Sequence, residues 1–148
     1  MRVTTEPFDL NLRTTFTIAT SSTNVRHNIL VRIDEGLGEA PVVPHYHETP
    51  QGVMDYVAQV APLLGDDPFQ LEDILTRLPR ISAAGYAAID VALHDLIGKR
   101  LGIPLHKFFG LNPARAPETS FTIAIDQPEV MAARAQESGW PILKVKVG

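Results

Sequence analysis

Leu143-Lys144-Val145-Lys146-Val147-Gly148 alternates apolar and cationic side chains with a period of two. A strand sends successive side chains to opposite faces, so Lys144 and Lys146 share one face while Leu143, Val145 and Val147 share the other. The apolar row calls for cover from helices. The lysine row fits either a solvated edge strand guarded against edge-to-edge pairing or a site that uses two ammonium groups. Upstream, residues 119–125 form a β-rich run, and Asp126 with Pro128 opens a helical stretch over residues 130–138 that Gly139 closes. Strand, helix and strand in this order predict two parallel strands, over residues 119–125 and 142–147, joined by a right-handed crossover.

The chain before residue 111 follows a different pattern. Residues 2–12 alternate around Val3, Phe8, Leu10 and Leu12, as a strand does. Residues 13–26 are rich in Thr, Ser and Asn, which reads as a surface loop, either one that carries function or simply a mobile one. Residues 28–34 form a clearer strand; Glu35-Gly36 is a tight turn and residues 37–40 a short return strand. The expected result is a three-stranded antiparallel meander. Residues 41–48 read as a loop bearing His45-Tyr46-His47. Two histidines at that spacing can share a metal, but no third ligand is near and the flanking prolines favour an exposed loop.

Three helices follow. Thr49-Pro50 places a cap before a proline, with Val53, Val57, Val60, Ala61 and Leu64 at helical spacing and Gly65 at the end. Asp67-Pro68 repeats the cap-then-proline pattern before Leu71, Ile74, Leu75 and Leu78. Ser82 caps the longest helical pattern, over residues 82–100, which Gly102 ends. Its Ala84, Ala88 and Ala92 form a stripe of small residues that admits close approach by a neighbouring element. Asp90 and His94 pair at i, i+4, as a structural contact or, less simply, a catalytic dyad. Residues 104–110 make a short helical turn, and residues 111–118 read as a linker. Two domains are therefore expected, residues 1–112 and 113–148.

Composition narrows the classes. The chain has 148 residues, 45% of them hydrophobic and 20% charged, as a globular chain does. Its formal net charge of −4 is scattered, without the basic cluster that nucleic acid or an anionic membrane would select. It has no cysteine, which removes thiolate metal sites and thiol nucleophiles. No apolar run reaches membrane-spanning length, so a cytoplasmic protein is expected.

The stretch from Ala83 to Leu105, followed by Phe108-Phe109-Gly110, resembles the capping-domain helix of the enolase superfamily, nearest to its muconate-lactonising subgroup. Gly36-Leu37-Gly38-Glu39-Ala40-Pro41 is similar to that subgroup's Gly-Glu-Ala turn. Thr119 to Ile125, taken with the Lys144-x-Lys146 motif, resembles the dipeptide epimerases. The fold implied is an α+β capping domain, a three-stranded antiparallel meander plus helices, followed by the first β-α-β of a modified (β/α) barrel. A whole barrel takes eight strands and roughly 250 residues.

The activity implied is inversion of the alpha carbon of a dipeptide by two-base proton transfer, with Mg²⁺ as cofactor. The resemblance assigns no metal ligand to this chain and places the ligands beyond residue 148. It gives Lys146 the acid/base role on one face and makes Lys144 an electrostatic partner. A nearby ammonium favours the neutral form a lysine base needs. Thr122, Ser21, Asn24 and Arg26 are the implied substrate-binding residues. Ser21 falls where the Ala-Glu epimerases carry a substrate-binding arginine, so a second substrate residue other than glutamate is expected, unless Arg13 or Arg26 substitutes. The implied partners are a small dipeptide or carboxylate substrate and further copies of the chain. The alternatives are a cycloisomerase or o-succinylbenzoate synthase of the same superfamily, or a non-catalytic α+β module.

Overall fold

The computed structural model describes residues 1–148, apart from the side chain of Pro44. The chain forms two compact units. The first comprises Met1–Leu10 with His27–Asn112, and the second Asn11–Arg26 with Pro113–Gly148.

Three strands, β1 (Val3–Ile18), β2 (Ser21–Ile33) and β3 (Gly36–Ala40), make one sheet in that order. β2 and β3 are antiparallel, with Ile29 opposite Ala40 and Ile33 opposite Gly36. The expected meander is present, but residues 13–26 are not a mobile loop. They extend β1 and β2 to a two-residue turn at Ala19-Thr20. The polar composition had hidden a run of β-branched residues, Thr14, Thr15, Thr17 and Ile18, which suit strands. Cross-strand hydroxyl contacts reinforce them: Thr15 Oγ1 donates to Asn24 Oδ1 at 2.6 Å, and Thr17 Oγ1 meets Ser22 Oγ at 2.8 Å.

In the first unit, Ile29, Val31 and Ile33 alternate along β2 and are fully buried. They meet α1 (Pro50–Val60), α2 (Leu71–Arg77) and α3 (Ala83–Leu101) in a common core. Thr49 caps α1 as its sequence predicts, its hydroxyl accepting from Gly52 N at 3.0 Å. Ser82 caps α3, accepting from Gly85 N at 3.1 Å. Asp67 does not cap α2. Its carboxylate accepts from Phe69 N at 2.9 Å and closes a turn, and α2 starts later, after Gln70.

The small-residue stripe of α3 meets β3. A Cβ at Gly38 would sit 1.9 Å from the carbonyl oxygen of Ala88, and one at Gly36 2.2 Å from that of Ala92. Strand and helix backbones therefore touch, which only glycine allows at those two positions. The β2–β3 turn is fastened to the end of the same helix. Asp95 Oδ2 accepts from Leu37 N at 2.8 Å and from Lys99 Nζ at 2.6 Å, and Arg100 Nη2 lies 2.8 Å from Asp34 Oδ2. Near the other end of α3, Tyr56 is buried and donates to the carbonyl of Pro79 at 2.8 Å. Burial raises its phenol above the ordinary value, as does Tyr86 beside it, with Arg80 acting in the opposite sense. Past α3, α4 (Leu105–Phe108) is the short turn expected at residues 104–110.

In the second unit, β4 (Phe121–Ile123) and β5 (Leu143–Val145) pair in parallel, joined by α5 (Pro128–Glu137). This is the predicted β-α-β. Pro128 opens α5, Gly139 takes a φ of +66°, and Asp126 pairs with Arg134 at 3.0 Å. α5 packs on β4, where Ile123 is buried, and the Phe121 and Trp140 rings stack at 6.4 Å. β5 is shorter than the expected 142–147. Along its apolar row Leu143 is half-buried, Val145 is 54% exposed and Val147 82%.

Candidate active site

Parallel register sets Thr122 beside Lys144, and Ile123 beside Val145. Thr122 and Lys144 therefore share a face. Lys146 lies just past β5, and its N–H donates to the carbonyl of Ile123 at 3.0 Å, continuing the ladder by one bond. Two residues along an extended chain span roughly 6.6 Å, so both ammonium groups emerge near the carboxyl end of the pair. Lys144 is exposed and Lys146 half-buried. Among the described residues, neither Nζ has a hydrogen-bond or ion-pair partner. The carboxyl ends of parallel strands are where α/β barrels build their chemistry.

The tip of the β1–β2 hairpin belongs to this same unit and docks at that end. Ile125 N, two residues past β4, donates to the carbonyl of Thr17 at 3.0 Å. A Cβ on Gly148 would stand 2.8 Å from the Ala19 Cβ, so the turn rests directly on the glycine that follows the lysine motif. Ser21 is exposed at the first position of β2. Asn24 is also exposed; its Oδ1 takes the Thr15 hydroxyl, which leaves its Nδ2 to donate elsewhere. The Arg26 guanidinium lies over the Phe16 ring, 5.8 Å from its centroid. The unit thus brings Thr122, Lys144 and Lys146 onto one strand pair and seats the hairpin that carries Ser21, Asn24 and Arg26 at its end.

Other sequence candidates fall in the first unit. His45 and His47 are exposed, and among the described residues no three His, Asp or Glu side chains gather to hold a metal. His94 Nδ1 lies 2.9 Å from Asp90 Oδ1 and 3.0 Å from the Asp90 carbonyl oxygen. Only the carbonyl contact has hydrogen-bond alignment, since Asp90 Oδ1 is buried without a bond. With His94 also 5.4 Å from the Phe109 ring, this is the structural contact and not a dyad. Sequence reasoning missed Asn28 and Glu48, and saw Glu39 only as part of the Gly-Glu-Ala turn. Their hydrogen bonds join residues 11 to 36 positions apart, and local pattern carries no trace of such pairings.

A family model described as the mandelate racemase / muconate lactonizing enzyme N-terminal domain matches residues 2–110. The chain belongs to this family. Among its curated relatives, an L-Ala-D/L-Glu epimerase of Bacteroides thetaiotaomicron is 43% identical over 100% of this chain and 41% of its own length. A dipeptide epimerase from Enterococcus faecalis, solved with Mg and the dipeptide L-Leu-L-Tyr, superposes with a TM-score of 0.86 at 32% identity. That match covers 99% of this chain and 45% of that one. A muconate lactonizing enzyme from Pseudomonas fluorescens, solved with muconolactone, superposes at 0.89 with 26% identity, covering 99% and 44%. The chain therefore spans less than half the length of these relatives. Its sheet and helices form the capping domain of enolase-superfamily enzymes, followed by the parallel strand pair that begins their barrel.

Proposed function

We propose that the protein carrying this chain is a dipeptide epimerase and that residues 113–148 begin its barrel, residues 1–112 being its capping domain. The observation that supports this most is the pair Lys144 and Lys146 on one face beside Thr122, at the strand end where the hairpin tip docks. Lys146, in its neutral form, takes the alpha proton from one face of the substrate. A second base, supplied from outside these 148 residues, delivers a proton to the opposite face and so inverts the carbon. Lys144 keeps its ammonium beside the substrate carboxylate and steadies the charge that develops as the proton leaves. Thr122 offers a hydroxyl to the same group, and Ser21, Asn24 and Arg26 line the substrate from the hairpin. Mg²⁺ accompanies the dipeptide in the Enterococcus structure. We assign it here as cofactor, where it would neutralise substrate charge, with ligands outside this chain.

The test is solvent-deuterium exchange into each enantiomer by the Lys146→Ala protein. General-base loss should cost epimerisation about 10²–10⁴-fold, with exchange surviving only for the enantiomer served by the opposite base. Lys144→Ala should weaken exchange into both enantiomers together. Equal residual exchange by Lys146→Ala removes that lysine from the base role.

A second reading, a cycloisomerase, draws on the likeness to the muconate lactonizing enzyme. It predicts turnover of an unsaturated dicarboxylate and none of any dipeptide.

A further inference from the structure

We propose that Gly148 is a positioning residue: its bare backbone lets the hairpin turn at Ala19 bear directly on the chain just past Lys146, and that contact holds the lysine where it meets the alpha proton. The inference rests on the epimerase reading above, in which Lys146 is the base for one face. It gives the hairpin tip a task toward the base, separate from any toward the substrate.

Lys146 stands outside the regular strand. β5 ends at Val145, and Val147, the next apolar residue, is exposed and gives the segment little anchorage. Residues 146–148 are instead held at their two ends. At the near end, Lys146 N donates to the Ile123 carbonyl at 3.0 Å. At the far end, Gly148 lies against the hairpin turn and Ile125. A Cβ there would stand 2.8 Å from the Ala19 Cβ, 3.1 Å from the Ala19 Cα and 3.3 Å from Ile125 Cδ1. Carbon atoms in ordinary contact sit about 3.5–4.0 Å apart. No side chain fits between turn and strand end as they lie, which is why a glycine stands at this close approach.

The parts that press on Gly148 are themselves braced within the same unit. Ile125 N donates to the Thr17 carbonyl, which ties the hairpin to the continuation of β4. The chain beyond Ile125 is fastened by Asp126, whose carboxylate accepts from Gln127 N at 2.9 Å and lies 3.0 Å from Arg134 Nη2 on α5. Across the hairpin, the Thr15–Asn24 and Thr17–Ser22 bonds join its two strands. A turn supported in this way does not swing aside easily. A methyl group added at Gly148 therefore displaces the less anchored partner, the segment that carries Lys146. A general base must stand within hydrogen-bond reach of its proton, and a misplacement of about 1 Å can cost 10²-fold in rate.

Gly148→Ala asks for roughly 1 Å more room than the contact provides. In the complete protein it should slow solvent-deuterium exchange into one enantiomer, the one whose exchange Lys146→Ala removes, by about tenfold or more. Exchange into the other enantiomer should stay within about twofold, and KM within about threefold. Adding Ala19→Gly takes away the nearest obstacle and should return the slowed exchange to within about threefold of the starting protein. Ala19→Val crowds the same contact from the hairpin side and should reproduce the one-sided loss, which keeps the test alive should Gly148→Ala fold poorly. Hydrogen exchange at the Lys146 amide should quicken in Gly148→Ala and recover in the double variant. A merely structural contact would lower Tm and leave the two enantiomers in step, and a cover over the substrate would weaken both together. Equal loss for both enantiomers, no loss, or no recovery on adding Ala19→Gly overturns the proposal. If the starting protein exchanges no dipeptide proton, the epimerase reading fails instead. The Lys146 amide then decides whether Gly148 holds this segment, and unchanged protection in Gly148→Ala overturns that.

Discussion

The contact between β3 and α3 makes Gly38→Ala the most demanding test of the fold. The added Cβ would fall 1.9 Å from the Ala88 carbonyl oxygen and 2.9 Å from the Ala92 nitrogen. Both are backbone atoms, so no side chain can swing aside. Ordinary contact requires about 1.5 Å more, and the helix and strand must separate by that distance locally. Ala88 and Ala92 are fully buried, in the same core cluster as Ile29, Val31, Leu93 and Leu96. A radial gap of 0.5–1 Å already forfeits a quarter to a half of each dispersion contact. Overpacking against side chains costs about 1–3 kcal/mol, and with backbone as the obstacle we expect the upper end, about 3 kcal/mol. For a unit of this size, that lowers Tm by roughly 12 °C or more. Gly52→Ala is the control: it sits exposed in the first turn of α1, 3.1 Å from the Thr49 hydroxyl. There alanine's helix preference opposes a mild crowding, and the change should stay within about 1 kcal/mol of neutral. Thermal unfolding followed by circular dichroism reads both. A Gly38→Ala variant that melts within about 2 °C of the parent chain would refute the claim that the two backbones touch.

Three further outcomes are expected. Ser21 cannot form the charge-assisted fork that an arginine offers a glutamate side chain, so a dipeptide panel should not rank Ala-Glu first, and Ser21→Arg should raise its kcat/KM. A tenfold preference for Ala-Glu in the unaltered protein, the result its Bacteroides relative's name would suggest, refutes this. The phenol of Tyr56 is held above its ordinary value of 10.0, chiefly by burial. Its contribution to stability is thus complete below pH 10 and is lost as pH rises through the folded-state value. Tyr56→Phe should flatten the alkaline fall in Tm while costing about 1 kcal/mol at neutral pH, where the bond to Pro79 is lost. Finally, the 148-residue chain alone should show no epimerase turnover and no stoichiometric Mg²⁺ binding by calorimetry; either one would overturn the assignment of the remaining machinery to residues outside it.

Much of this was legible in the sequence, because the signals are local. Thr49 and Ser82 announce helix starts through bonds reaching only three residues, Gly102 and Gly139 announce helix ends, and the period of two in residues 143–147 sets both lysines on one face. The alanine stripe of α3 declared that something would approach closely. It could not say what, because the answer lies in two glycines some fifty residues away. Residues 13–26 misled for a related reason. A threonine-rich segment is loop or strand according to whether a partner stands opposite, and that partner is supplied by the return of the chain through β2. Asn28 carried no signal at all. A lone asparagine in a strand looks like a surface residue until a carboxylate on β3 and an amide beyond it close around its side chain. Local chemistry settled the elements and the lysine pair; contacts between distant residues decided which backbones touch, where the hairpin tip rests and which polar group is buried.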